Sequence, residues 1–370
     1  ADRIIYTKDW NTGGPITNSS SERYFSQRFQ KDSTTGMHGT HVAGIVGSDD
    51  RFNPGVAPGV NLIIFDVSFD SDDGLNVQAI FDSLDWVSQN FDKYNIVAVN
   101  LSLGNDNVVR YKETWDIADE LARKGVSLVI SSGNSFVDGG AGVTQPGNAR
   151  NVISVGSLFD KDYSKGSLRD INWTYPETGP HSAYEIQPYS SRYPGISDIF
   201  APGTIISARD KRSPDDLEIT GTSMAAPFIA GVIPLLQEVA ETYINRRLSF
   251  WEIEKIIKES GKTIYDGDDE FSGYLRGYNV RPTEAYYKSI DIYEAAKLIL
   301  DLAPIGTWKI DLGEKSVSNL NFGFVASSTD VSSEDSDRIT GSNRSDTIYG
   351  RGGNDVIFGL DGNDTLKGGP

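Results

Sequence analysis

Cysteine is missing from all 370 residues, and histidine and methionine are scarce at three and two. The first absence excludes disulfides, a cysteine nucleophile and thiolate metal sites together, without assigning the chain to a reducing compartment. Nothing approaches the roughly 18 consecutive apolar residues of a membrane span. Basic residues are also in deficit, 34 Lys and Arg against 52 Asp and Glu, a net charge of −18. That balance argues against nucleic acid and anionic membrane as partners. It leaves excess carboxylates as a solvated surface or as ligands for a hard cation such as calcium. Ala1 is followed by charged residues with no apolar stretch of a signal peptide. With no initiator Met, and an end at Gly368-Gly369-Pro370 inside a repeat, both ends are expected to be cut.

What is present suffices for about two domains, with 38% hydrophobic residues to form a core. From about 38 to 302, β-branched runs alternate with helix-length segments. NLIIFDV (61–67), NIVAVNLSL (95–103), VSLVISSGN (126–134) and NVISVGS (151–157) read as strands. Helices are expected at 77–90 and 115–125, after Ser223, and at 250–260 and 291–302. Such alternation predicts βαβ units and a mostly parallel sheet with helices on both faces. Residues 303–337 lose the pattern and read as a linker. A strict period follows: Gly341, Gly350, Gly359 and Gly368 are nine apart, as are Asp346, Asp355 and Asp364. A fixed step of this kind marks a repeat architecture over 338–370.

Three stretches carry possible chemistry. GMHGTHVAGIVG (36–47) places His38 at the N-terminal end of a small-residue helix. Its two histidines could equally be ordinary residues or an i, i+3 metal pair. ITGTSMAAPFIAG (219–231) places Ser223 where a loop enters a helix, so that a free N–H and the helix dipole favour negative charge there. An N-cap serine would look the same. VISSGN (129–134) ends a strand on Gly133-Asn134, where open α/β sheets place their sites, and a turn-forming Asn is the alternative.

Together and in this order, HGTHVAG around His38, SSGN ending at Asn134 and GTSMAAP around Ser223 closely resemble the subtilisin-like serine proteases, the subtilases. GVAPGVNL (55–62), NLSLG (100–104), TQPGNARNVISVGS (144–157) and SSRYPGISDIFAPGTIISA (190–208) extend the resemblance over nearly all of 1–302. It implies a three-layer fold in which Ser223 is the nucleophile and His38 its general base. Asn134 and the Ser223 backbone N–H would form the oxyanion hole. Leu103, Gly104, Ser131, Ser132 and Gly133 would flank the substrate's backbone and first side-chain pocket, with His41 structural and His181 in a variable loop.

The family's catalytic aspartate ends a strand with Asp-Thr/Ser-Gly some way before the histidine. Asp2, Asp9 and Asp32 all lack that context, and ADRIIYTKDW (1–10) resembles the segment after it. The expectation is therefore a chain that starts downstream of the aspartate and is nearly inactive as it stands.

GRGGNDVIF (350–358) and GLDGNDTLK (359–367) resemble the calcium-binding nonapeptide of the repeats-in-toxin (RTX) family, with GSNRSDTIY (341–349) a degenerate first copy. That resemblance implies a parallel β-roll with Asp346, Asp355 and Asp364 as calcium ligands. It also implies secretion, from a bacterial cell, through an exporter that needs no N-terminal signal. The expected protein is a secreted, monomeric, calcium-dependent endopeptidase acting on proteins or peptides. The alternative is an inactive subtilase fold serving as a binding module on a calcium-dependent stalk. A lipase or esterase fails because Ser223 sits in Gly-Thr-Ser-Met-Ala, not Gly-x-Ser-x-Gly.

Overall fold

A computed structural model describes residues 3–10, 34–67, 76–104, 112–136, 142–163, 181–207, 217–267 and 282–302, and the short strands of the repeat. The chain divides into two compact units, Ala1–Leu302 and Ala303–Pro370.

The first unit is built on a six-stranded sheet in the order β3-β4-β5-β6-β10-β9. Its strands are β3 (Ala98–Leu101), β4 (Ser127–Ser131), β5 (Ile153–Leu158), β6 (Ile199–Pro202), β9 (Lys262–Asp266) and β10 (Ala285–Ser289). All neighbours are parallel except β9, which closes one edge antiparallel to β10.

The period of two in β4 assigns its residues to opposite layers. Leu128 and Ile130 pack with Leu84 and Val87 of α2 (Val77–Asn90) and with Ile117 and Leu121 of α3 (Lys112–Arg123). Val129 faces the other way, onto α4 (Thr222–Tyr243), α5 (Phe250–Ser260) and α6 (Ile292–Asp301). Helices on both faces of a mostly parallel sheet make the three layers. α4 is long and apolar enough to cross a bilayer by length and composition alone, but its Met224, Ile229, Val232, Ile233 and Leu236 form the core against the sheet. α5 opens with a capping box, in which the Ser249 hydroxyl and Glu252 satisfy each other's backbone N–H groups.

The N-terminal segment departs from expectation. Ile4–Asp9, read as following an absent strand, is itself a strand, β1, paired in parallel with β2 (Leu62–Asp66) so that Asp9 stands opposite Asp66. Its consecutive β-branched and aromatic residues Ile4 to Thr7 suit a pleated surface, and aromatic contacts anchor it: Tyr6 stacks on Trp86 of α2 at 4.4 Å. The indole of Trp10 donates to Ser83 Oγ at 2.6 Å. Between β1 and β2 lies α1 (Thr34–Gly47), which makes the trio a βαβ unit. A crossover helix in such a unit runs antiparallel to its strands. Arg3, at the start of β1, accordingly pairs with Asp49, just past the end of α1, at 3.3 Å.

In the second unit four three-residue strands recur: β11 (Arg338–Thr340), β12 (Thr347–Tyr349), β13 (Val356–Phe358) and β14 (Thr365–Lys367). β11 pairs in parallel with β13 and β12 with β14, so each copy pairs with the copy two along. β11 begins at Arg338, and the residue before it, Asp337, stands nine before Asp346. A copy therefore precedes the one at 341–349, in sequence that had been assigned to the linker.

Candidate active site

The segments expected to carry substrate contacts and Asn134, and the hairpin that precedes Ser223, follow the carboxyl ends of parallel strands. β3 ends into Leu103 and Gly104, and β4 into Ser132, Gly133 and Asn134. A hairpin of β7 (Thr204–Ser207) and β8 (Leu217–Thr220) leads directly into α4.

Ser223 is the second residue of α4, half-buried, and Gly221 rather than any serine holds the cap position. A first-turn N–H has no intrahelical acceptor, so the Ser223 amide is free to bind an anion with the helix dipole behind it. The opposite end of the same peptide is held from outside the helix. Pro227 lies four residues on and has no N–H to give the Ser223 carbonyl. Ser102 Oγ donates to it instead, at 2.7 Å, tying the end of β3 to the serine.

Asn134 is oriented by Thr222. Its Oδ1 accepts from the Thr222 backbone N–H at 3.0 Å and from Thr222 Oγ1 at 2.9 Å, while the Gly133 N–H donates to Thr222 Oγ1 at 3.2 Å. With the oxygen engaged twice, the Asn134 amide nitrogen remains as a donor, 3.6 Å from where a Cβ on Gly221 would stand. Gly133 has φ +107, a backbone that a side chain disfavours.

His38 lies in the second turn of α1, half-buried, and burial pushes its imidazole below the ordinary histidine value. Among the described residues no hydrogen bond joins its ring to a carboxylate or to the Ser223 hydroxyl, although α1 packs directly against α4. His41 is fully buried, and its Nε2 lies 3.1 Å from the Ile205 carbonyl of β7. Among the described residues no three His, Asp or Glu side chains converge on a possible metal position. His181, away from these elements, stacks on Phe159 at 4.3 Å and meets Glu185 at 3.0 Å.

Of the residues expected to flank a substrate, Leu103 and Gly104 reach the surface, but Ser131 and Ser132 are buried. The Ser132 N–H is given to Val155 and its carbonyl accepts from Thr144, so Ser132 backs the site from behind. Asp2 and Asp32 lie outside the described residues, as do Asp346, Asp355 and Asp364. Asp9 is described: it ends β1 fully buried, 29 positions before His38. Because α1 runs antiparallel to β1, its His38 end lies toward the carboxyl end of β1, where Asp9 sits.

The sequence alone assigns no role to Thr222 or Ser102, and sets Asp9 aside because no Thr-Gly or Ser-Gly follows it. Thr222 lay inside the motif but has a role only once its contacts are seen, while Pro227 at four residues after Ser223 signalled that the carbonyl needed an outside donor.

Residues 11–274 match the Subtilase family, and 332–366 match the RTX calcium-binding nonapeptide repeat in four copies. An alkaline proteinase from Hapsidospora chrysogena is 33% identical over 208 residues, covering 55% of this chain and 43% of that protein. Subtilisin-like protease 10 of Trichophyton verrucosum is 32% identical over 197 residues, covering 52% of this chain and 32% of that protein. The chain thus spans less than half the length of these curated relatives. A cold-adapted subtilisin-like serine proteinase of known structure shares 25% identity over 69% of this chain and 76% of its own, with a TM-score of 0.46. With most of its length, residues 11–274, matched by the family model, the chain belongs to the subtilases and carries RTX repeats later in its sequence.

Proposed function

We propose that the chain is a serine endopeptidase that cleaves proteins through an acyl-enzyme on Ser223. Ser223 Oγ attacks the scissile carbonyl and passes its proton to His38. The oxyanion so formed accepts hydrogen bonds from the Ser223 N–H and from Asn134. Collapse expels the amine, which takes the proton back from His38, and water then releases the acyl group by the same route. The observation that carries this reading is the double engagement of Asn134 Oδ1 by Thr222, which orients the amide donor before any substrate arrives. A serine–histidine contact that is open without substrate is ordinary for such sites and tightens in the complex.

Asp9 has the best claim among the described acids to be the third member of the triad, because it is fully buried and ends a strand whose carboxyl end lies toward the His38 end of α1. In the RTX segment, Asp346 and Asp364 immediately precede strands paired Thr347 to Thr365, and Asp337 and Asp355 immediately precede strands paired Arg338 to Val356. Hard carboxylates brought to neighbouring strands, with glycine-rich turns between, suit calcium, which would supply cross-strand charge neutralisation to the roll. Secretion as a monomer accords with the repeat. A bacterial source rests on the repeat alone, since the relatives matched by the peptidase unit are fungal.

The test takes the 370-residue chain on casein and with a serine-directed fluorophosphonate. Ser223→Ala should abolish both hydrolysis and labelling, and labelling that survives would remove Ser223 from the mechanism. Asp9→Asn should lower kcat by about 10⁴-fold, as losing the triad acid does in serine proteases. An unchanged rate in that variant would assign the acid elsewhere. A chain that neither hydrolyses nor labels would favour the alternative, a subtilase fold used as a binding module.

A further inference from the structure

Residues 187–191 touch both halves of the site. On one side their backbone grips the stretch that carries Asn134. The Ser191 N–H donates to the Gly133 carbonyl at 2.8 Å, and the Phe136 N–H donates to the Tyr189 carbonyl at 3.2 Å. On the other side, Gln187 and Tyr189 close a ring with Thr204 and Thr220, the threonines paired at the base of the β7–β8 hairpin that leads into Ser223. Gln187 Nε2 donates to Thr204 Oγ1 at 2.6 Å, and the Tyr189 hydroxyl donates to Gln187 Oε1. The hydroxyl oxygens of Tyr189 and Thr220 are 2.8 Å apart, and those of Thr220 and Thr204 are 2.9 Å apart. A hydroxyl has one proton to give. With that of Tyr189 committed to Gln187, Thr220 donates to Tyr189 and Thr204 donates to Thr220. Every bond then runs in one sense around the ring, so that each polarises the next. Ser157 of β5 donates to the same Gln187 oxygen, and Ser157, Gln187 and Thr204 are all buried. The cluster lies against Gly203, where a Cβ would overlap Ser157 Oγ and stand 2.8 Å from Gln187 Oε1. The Gly203 carbonyl in turn accepts the Gly221 N–H at 2.8 Å.

We infer that Gln187 and Tyr189 are positioning residues for hydrolysis, acting through the turn at 220–222. The ring holds Thr220, Gly203 holds Gly221, and Asn134 holds Thr222, so the chain enters α4 at a fixed place relative to Asn134. An oxyanion hole works only when both donors stand about 3 Å from one oxygen. Here one donor is the Ser223 N–H, just past this turn, and the other is Asn134, in the stretch that residues 189 and 191 grip. The inference rests on the endopeptidase reading and adds two residues to its machinery.

The experiment measures kcat and KM of the 370-residue chain on a peptide anilide, with its melting temperature alongside. Tyr189→Phe removes one hydroxyl and opens the ring. It should lower kcat roughly three- to tenfold, the effect of one hydrogen bond, with KM unchanged. In an Asn134→Ala background the same substitution should cost little, because the alignment it spoils has already lost its second donor. Gln187→Glu keeps the shape and tests the ring directly. A neutral carboxyl can accept from Tyr189 and donate to Thr204 as the amide does, whereas a carboxylate cannot donate. Burial raises the pKa of such a carboxyl. Its ionisable neighbours are Tyr189 and, through Thr204, Tyr163 with Asp160 and Glu218, acids that add to the rise. The ratio of variant to wild-type kcat should therefore climb about three- to tenfold between about pH 9 and about pH 6, while the loss both share as His38 protonates cancels. A merely structural ring would lower the melting temperature and leave that ratio flat. A flat ratio, an equal loss for Tyr189→Phe in both Asn134 backgrounds, or a wild-type kcat in Tyr189→Phe would overturn the inference and leave the endopeptidase standing. If Gln187→Glu does not fold, Tyr189→Phe in the two backgrounds decides. A wild-type chain that neither hydrolyses the anilide nor labels with the fluorophosphonate would overturn the endopeptidase reading, and this inference with it.

Discussion

At the scale of single residues, the site depends on side chains that do no chemistry. Thr222 touches no reacting atom in the proposed mechanism, yet it engages the oxygen of the Asn134 amide and leaves the nitrogen as the donor. Asn134→Ala should lower kcat by about 10²–10³-fold with little change in KM, the size of effect seen on removing one oxyanion donor in subtilisin itself. Thr222→Val keeps the shape but loses the hydroxyl that donates to Asn134 and accepts from Gly133. It should cost roughly three- to tenfold in kcat, one ordinary hydrogen bond. In an Asn134→Ala background the Thr222 substitution should cost almost nothing, because its effect runs through the amide. An equal loss in both backgrounds would show that Thr222 acts on α4 as a whole. The expectation for His38, Asn134 and Ser223 rests on the runs of small residues around them, which few other architectures need. Thr222 was visible there as a letter and not as a role, since a hydroxyl's partner lies 88 positions away and no local pattern encodes it.

Among the elements, the four strands expected at 61–67, 95–103, 126–134 and 151–157 all formed, shorter by a few residues, because apolar runs bounded by Gly and Asn announce a buried parallel sheet. β1 was missed for the complementary reason. Its sequence, three apolar or aromatic residues followed by three polar ones, shows no period of two and ends in Asp9-Trp10 without a following glycine, and its partner lies beyond a whole helix. Only the pairing with β2 reveals it.

A second long-range tie was equally invisible. Arg192, just before the segment leading to β6, makes a two-pronged ion pair with Asp266 at the end of β9, both contacts at 2.7 Å and both side chains fully buried. Arg192 also lies over the Phe136 ring at 3.9 Å, while Ser191 bonds to the Gly133 carbonyl at 2.8 Å, so this arginine braces the stretch that carries Asn134. Burial works against the Asp266 charge, but Arg192 and Thr283 outweigh it and hold its carboxyl below the usual range. A carboxylate depressed in the folded state contributes stability above its unfolded value, near pH 4, and loses it as pH falls through the lower folded value. Asp266→Ala should therefore destabilise the peptidase unit by about 3–5 kcal/mol, the cost of stranding a buried charge. Urea unfolding at pH 7 measures that loss. The difference from wild type should narrow only below about pH 4, and a gap that already closes at pH 6 would contradict the ion-pair account.

At the scale of the whole molecule, the two units answer to different physics. The first unit buries a core between helices and sheet, whereas the second consists of three-residue strands at nine-residue steps, an architecture in which each unit depends on its neighbours. The period was plain in the sequence from Gly341 onward, but the copy at β11 was not, because its leading residues, SSEDSD, lack the glycines that mark the others. That copy changes the expected calcium stoichiometry. Without it, Asp355 would need a partner beyond Gly368, and one carboxylate pair, Asp346 with Asp364, would remain. Since β11 pairs with β13 as β12 does with β14, and Asp337 and Asp355 precede their strands in the sequence as Asp346 and Asp364 do, we propose a second carboxylate pair, Asp337 with Asp355. Calorimetric titration of the 370-residue chain with calcium separates the two cases. Asp355→Asn should remove as much of the wild-type calcium binding as Asp364→Asn, and Asp337→Asn should match Asp355→Asn, because each substitution breaks one pair. Pairing also predicts that Asp337→Asn and Asp355→Asn together lose little more than either alone, whereas Asp355→Asn with Asp364→Asn should lose both contributions. If Asp355→Asn binds calcium like the wild type while Asp364→Asn does not, the copy at β11 contributes a strand but no ligand.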